Sequence, residues 1–246
     1  MMAHVCKLWM WIGLNFWVSQ AEATPMNIQT PYLGTFTAEV NGGGHKAVIF
    51  VHGENESAQH MQRVAEHFAT PSIQTVYWDL PGFGTRSEED PLYPLMHIEV
   101  QALIRQLRVS GVRDVQCVGS GFGGILCMQA LSKETPLSQI AIIDPVHTKY
   151  NQSLLSNVEA YSKLHPIFVI LGSNAVAEHA VGRLEEQREV LLFSSTSKQR
   201  GMSLLTEDPA LETQLGEWIH KRIPERRAPP VDTTHELTVD GERLPF

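Results

Sequence analysis

One turn of this chain has the glycine spacing of a catalytic turn but no nucleophile at its centre. Val115 to Met128 reads as a strand, a glycine turn (Gly119-Ser120-Gly121-Phe122-Gly123-Gly124) and a helix. A serine presented for attack on a strand-to-helix turn is written G-x-S-x-G. Here the frame Gly119-x-Gly121-x-Gly123 places Gly121 at the nucleophile position, and Ser120 stands one residue early. In a strained turn a shift of one residue swings the side chain elsewhere. A serine hydroxyl also needs a base within hydrogen-bond reach. His52 and His147 lie at strand ends, and Asp144, ahead of Pro145, could orient one of them. Ser120, Asp144 and His147 therefore form one candidate catalytic set. Asp144 and His147 are too close in sequence to be placed independently. A buried structural role for His52 and a turn or capping role for Asp144 compete with the catalytic ones.

The elements around this turn alternate. Gly34 to Val40 has the alternation of an edge strand, and Asn41 to Gly44 is a turn. Ala47 to Val51 is apolar throughout, as a strand buried on both faces is, and ends in His52-Gly53. Helices are expected near 58–68, 95–109, 153–164, 176–186 and 209–221. Strands are expected at 75–78, 140–143, 167–171 and 190–193, besides the strand that enters the glycine turn. Such alternation implies an α/β protein with a mostly parallel sheet and helices on both faces. Ligands bind beyond the carboxyl ends of such strands, which is where His52, Ser120 and Asp144 fall. The stretch from Asp144 to Ile167 is too short for a large lid.

The chain has 246 residues, 43% hydrophobic and 19% charged, with a net charge of −8. It can bury a core, and its acidity argues against nucleic acid as a partner. Leu8 to Val18 is apolar, follows Lys7 and leads to Ala21-Glu22-Ala23, a small-x-small pattern. Residues 1–23 are expected to be a secretory signal peptide, its apolar run too short to span a bilayer, with export and no stable membrane insertion after its removal. Residues 34–223 form the expected domain, and 224–246 a tail outside it. Cys6 would leave with the leader. Cys117 and Cys127 could pair in an oxidising compartment, although two small buried hydrophobes are the expected reading. Asn55 and Asn151 head N-x-S sequons.

Three strand ends together resemble the α/β-hydrolase superfamily: the apolar strand ending in His52-Gly53, the Asp79-Leu-Pro-Gly-Phe-Gly84 turn, and the Gly119-to-Gly124 elbow. Ile143-Asp144-Pro145 fits the same order. The resemblance implies a three-layer α/β/α sandwich without a large lid. It also implies a triad arriving as Ser, then Asp or Glu, then His. The acid belongs after Leu171-Gly172, where Ser173-Asn174-Ala175 holds no carboxylate. The histidine belongs after the last strand, where Ser194 to Ser203 holds none. With Gly121 at the elbow, all three positions are vacant. The expectation is a protein without Ser-acid-His chemistry that binds a small molecule or a protein partner at the old cleft. The alternative is an unorthodox hydrolase of esters or related acyl compounds using Ser120. In the resembling enzymes the oxyanion donors would correspond to N–H groups of Phe122 and of Glu54 or Asn55, beside His52 and Gly53; Glu54 would repel an anion there.

A second reading of the same turn is dinucleotide binding. Gly119-x-Gly121-x-x-Gly124 with a downstream Asp144 has the fingerprint spacing. The motif lies mid-chain, however, where such a domain usually opens with it. No metal site is expected: the histidines are scattered and no Cys-x-x-Cys pair occurs. No cofactor is expected either.

Overall fold

Ala47 to Val51 has no polar side chain, and it becomes a strand near the centre of the sheet with both faces covered. The computed structural model describes residues 23–132, 134–146, 148–149, 152–153, 167–172 and 190–220. Within them the chain builds β1 (Thr24–Gln29), β2 (Thr35–Gly42), β3 (Lys46–Val51), α1 (Ala58–Phe68), β4 (Ile73–Tyr77) and α2 (His97–Val109). Then follow β5 (Asp114–Ser120), α3 (Phe122–Ala130), β6 (Gln139–Ile143), a short hairpin of β7 (Thr148–Lys149) and β8 (Gln152–Ser153), and β9 (Ile167–Leu171). The described chain ends with β10 (Val190–Ser194), α4 (Ser203–Glu207) and α5 (Pro209–His220).

Eight strands form one sheet in the order β1-β2-β4-β3-β5-β6-β9-β10. The pairs from β4 to β10 are parallel; β1–β2 and β2–β4 are antiparallel. This is the expected mostly parallel α/β sandwich of the hydrolase type. Two buried layers cover the sheet. Ile49, Cys117 and Ile142 pack with Leu103 of α2 and Leu126 of α3 on one face. Val48, Val118 and Phe168 pack with Met61 of α1 and Leu215 and Trp218 of α5 on the other. Truncating a fully buried residue such as Leu103 to alanine should cost about 2–5 kcal/mol, transfer and cavity together.

Two sequence expectations need correction. The edge strand is β1, not the strand at 34–40, which lies second and pairs on both sides. β1 hides in the sequence because only Ile28 of its six residues is buried and Pro25 breaks the strand signature. Cys117 and Cys127 are bonded in a disulfide, Cα to Cα 5.9 Å, and are not two free buried thiols. The bond ties β5 to α3 around the elbow. The leader, the tail, His147, Asn151, residues 173–175 and the helices expected near 153–164 and 176–186 lie outside the described residues.

Candidate functional site

The elbow is built by close packing that decides which glycine is which. A Cβ on Gly123 would collide with the Val51 carbonyl, and one on Gly119 would collide with the Gly123–Gly124 backbone. These two glycines let α3 lie directly on β3 and β5. Gly121 is different. A Cβ there would find Gly53 Cα at 3.9 Å and the Asp144 carbonyl at 4.0 Å, both ordinary van der Waals contacts. Its backbone stands at φ 50, ψ −116, which strains any side chain-bearing residue. Gly121 N–H donates to the Ile143 carbonyl at 2.9 Å, pinning the turn to β6. Sterics thus set the frame Gly119-x-Gly121-x-Gly123: the central position has room for a side chain and carries none.

Ser120 ends β5 and belongs to the other face. Side chains alternate along a strand. Cys117 faces the α3 layer, and Val118 the layer of α1 and α5. Ser120 follows Val118. It is 1% exposed, and its Oγ has no hydrogen-bond partner. The turn at Gly201 covers it: a Cβ on Gly201 would stand 2.8 Å from Ser120 Oγ and would collide with Glu56 Oε1. Glu56 holds that turn in place. Its Oε2 accepts the Gly53 N–H at 2.8 Å and its Oε1 the Met202 N–H at 2.7 Å.

Asp144 supports the turn from the other side. Its Oδ2 accepts Arg200 Nε at 2.5 Å and the Gly201 N–H at 2.9 Å. Asp144 is buried and sits at φ 49, the one positive φ of a non-glycine residue among the described ones. Its N–H is fixed by the Ile170 carbonyl at 2.7 Å. Its Oδ1 has no partner.

His52 is fully committed. Nε2 accepts the Leu80 N–H at 2.9 Å, so the proton sits on Nδ1, which donates to the Gly53 carbonyl at 2.7 Å. Burial lowers its pKa; the Gly53 bond and the charges of Asp79 and Glu56 oppose this incompletely. A buried neutral imidazole with both nitrogens engaged locks β3 to the segment after β4 and has no lone pair for a proton. Asp79 is also structural. Burial raises its pKa, but the N–H groups of Ala58 and Thr85, the Thr85 hydroxyl and the nearby His52 bring it below the usual carboxylate value. Below the Asp79 turn, Arg86 grips Glu99 with two bonds of 2.9 and 3.0 Å, and Trp78 Nε1 donates to the same carboxylate at 2.8 Å.

The structure therefore brings together Ser120, Gly121, Gly53, Glu56, Asp144, Arg200 and Gly201. Phe122, buried, opens α3, and Glu54 follows Gly53 in an exposed turn with Asn55. His52 stands behind this group, turned to Leu80. Sequence reasoning missed Glu56, Arg200 and Gly201. A search of the loop after the last strand for any charged residue, and not for histidine alone, would have found Arg200. Among the described residues no group of three His, Cys, Asp or Glu is placed to hold a metal ion. No described helix is long and apolar enough to cross a membrane. A separate groove of about 310 Å³ lies beside β1 and β2, lined by Met26, Val40 and Gln74 among others, away from the elbow.

Residues 43–218 match the family model described as serine aminopeptidase, S33, a hydrolase family. The chain belongs to this family. No curated protein matches it. Among solved structures, an esterase of Pyrococcus furiosus is similar with a TM-score of 0.63 at 14% identity, over 80% of this chain and 92% of the other. An α/β serine hydrolase without a lid from Xanthomonas campestris is similar at 0.60 and 15%, over 82% and 97%. An esterase of Exiguobacterium antarcticum is similar at 0.59 and 13%, over 80% and 100%. These likenesses carry the fold, an α/β-hydrolase. In this chain Gly119, Gly123 and Gly124 are packing glycines, and the Asp144 carboxylate is taken by Arg200 and Gly201; neither feature calls for a dinucleotide. Family membership favours the hydrolase alternative over a protein that only binds.

Proposed function

We propose that this member of the hydrolase family binds a small molecule at the elbow cleft without cleaving it. One observation carries this reading: the position that the elbow frames for a nucleophile is Gly121, where a Cβ would fit without overlap and none is present. The neighbouring groups agree. Ser120 is covered by the Gly201 turn, Asp144 is held by Arg200, and both nitrogens of His52 are engaged. Among the described residues no free base stands beside Ser120, and a serine hydroxyl without a base is a poor nucleophile. The Cys117–Cys127 disulfide supports the expected export to an oxidising compartment.

A second reading is hydrolysis of an ester or related acyl compound by Ser120. The family supports it, and so does one observation of this chain. The Ser120 Oγ is buried without a hydrogen-bond partner, a state that costs about 1–3 kcal/mol and calls for a reason. This reading requires the Gly201 turn to lift and a base to arrive, for which His147 is the candidate. Fluorophosphonate labelling of the purified chain, with peptide mapping and a Ser120→Ala control, separates the two. The binding reading expects no labelled serine at the elbow. Labelling of Ser120 that disappears in Ser120→Ala would overturn it in favour of the hydrolase.

A further inference from the structure

Asp144 touches both halves of the site. Its main-chain oxygen faces the side-chain position of Gly121, 4.0 Å from where a Cβ would stand. Its carboxylate holds Arg200 through Nε at 2.5 Å. The Asp144 side chain is 4% exposed and that of Arg200 59%. The buried end of this pair is thus fixed while the guanidinium reaches solvent at the rim of the elbow. Its terminal nitrogens make no hydrogen bond to a described residue. The fixing is costly: a non-glycine residue at positive φ stores about 1–3 kcal/mol, and Asp144 keeps that conformation with its carboxylate pointed at Arg200 and Gly201.

A guanidinium carries only N–H donors and no acceptor, so Arg200 can hold a ligand but not take its proton. What it does well is hold two oxygens at once with parallel N–H donors. We propose that Arg200 is the ligand-anchoring residue of the elbow cleft and that the ligand carries a carboxylate. The proposal rests on the binding reading above and names its ligand class. The charges nearby favour a monoanion over a phosphate. The charge of Arg200 is already paired with Asp144, Glu56 holds the same turn, and the whole chain carries −8. The terminal nitrogens of the fork can still take the two oxygens of one carboxylate, whereas a dianion would bring a second negative charge into this acidic surround.

The test titrates the full chain with butyrate, benzoate, butyramide, benzamide and inorganic phosphate at fixed ionic strength, read by amide NMR shifts at Gly53 and Gly121. Each acid should bind at least 10-fold more tightly than its amide. Arg200→Gln should abolish that preference, and Arg200→Lys, which keeps the charge but loses the fork, should retain part of it. Equal affinity for acid and amide, an unchanged preference in Arg200→Gln, a preference for phosphate, or no binding of any probe overturns the proposal. The two readings fail separately. Acids and amides binding equally at the elbow would leave the binding reading standing without Arg200. Fluorophosphonate labelling of Ser120, with an acid preference that still depends on Arg200, would remove the non-catalytic reading and keep the anchor.

Discussion

Gly201 lies over Ser120 so closely that a Cβ on the glycine would stand 2.8 Å from the serine Oγ. The same Cβ would collide with the Glu56 carboxylate, and the backbone is left-handed at φ 59. A side chain here meets strain and overlap together. Gly201→Ala should therefore destabilise the fold by about 1–3 kcal/mol from the backbone alone, and more from the collision. Urea unfolding of the variant against the parent measures it. A cost near zero would mean that the turn is not held as described.

Gly121 presents the reverse case. A Cβ there meets no overlap, so Gly121→Ser should fold, at a cost of about 1–3 kcal/mol for the strained φ. Alone it should hydrolyse no p-nitrophenyl ester, because Asp144 is bound to Arg200 and His52 has no free nitrogen. In Gly121→Ser/Arg200→His the new imidazole would inherit the Asp144 carboxylate, and ester turnover above the single variant is expected. Turnover in Gly121→Ser alone would reveal a base elsewhere and count against a cleft without catalysis.

Local pattern made much of this fold legible. Ala47 to Val51 and Ile167 to Leu171 are apolar at each position, which is what strands buried on both faces require. The elbow is readable because Gly119 and Gly123 answer to sterics within one strand-turn-helix unit. β1 was not readable, since an edge strand that buries one side chain leaves no period. α4 is five residues long, too short for a helical period. The Asp144–Arg200 pair spans 56 positions, and no local pattern announces a contact made only when β6 and the loop after β10 converge. Arg86 and Glu99 are closer in sequence but meet across a turn, with the same result.

Arg86 and Glu99 form a buried pair with little solvent to replace a lost partner. Burial raises the Glu99 pKa, and Arg86 offsets only part of this. Arg86→Met would leave the Glu99 carboxylate buried without its counter-charge, so a loss of about 3–5 kcal/mol is expected. In Arg86→Met/Glu99→Leu the orphaned charge is gone and the loss should be smaller than in Arg86→Met. A double-mutant cycle by chemical denaturation reads this directly. Simple additivity would mean that the two side chains do not act as a pair.

The Cys117–Cys127 bond closes a loop of ten residues in separation across the elbow. Closing so short a loop limits the unfolded chain by about 2–3 kcal/mol. Cys117→Ala/Cys127→Ala should lose that much and melt at a lower temperature. The bond itself can be counted: with residues 1–23 kept, only Cys6 of the three cysteines should react with a thiol reagent in denaturant without reductant, and with them removed none should. Three reactive thiols would show that the pair is not formed.

His52 should make stability depend on pH near neutrality. In the folded chain its pKa lies below the ordinary 6.5, because burial disfavours the charged ring. When the pH falls below about 6.5 the unfolded chain takes up a proton that the folded chain refuses. The unfolded state then binds more protons, so stability declines as pH falls and is restored as pH rises. The full contribution is present above 6.5, and the loss continues downward until the folded-state pKa is reached. Asp79, whose pKa is also lowered in the fold, acts in the same direction but only at lower pH, near and below its ordinary 3.8. Urea unfolding between pH 8 and 5 should show the decline in the parent. In His52→Gln, which titrates nowhere in this range, the slope should be shallower by the share of one group, with lower stability throughout because the bonds to Leu80 and Gly53 are not both reproduced. Equal slopes in parent and variant would mean that His52 takes up its proton as readily in the fold as in the unfolded chain, contrary to the Leu80 N–H pointing at its Nε2.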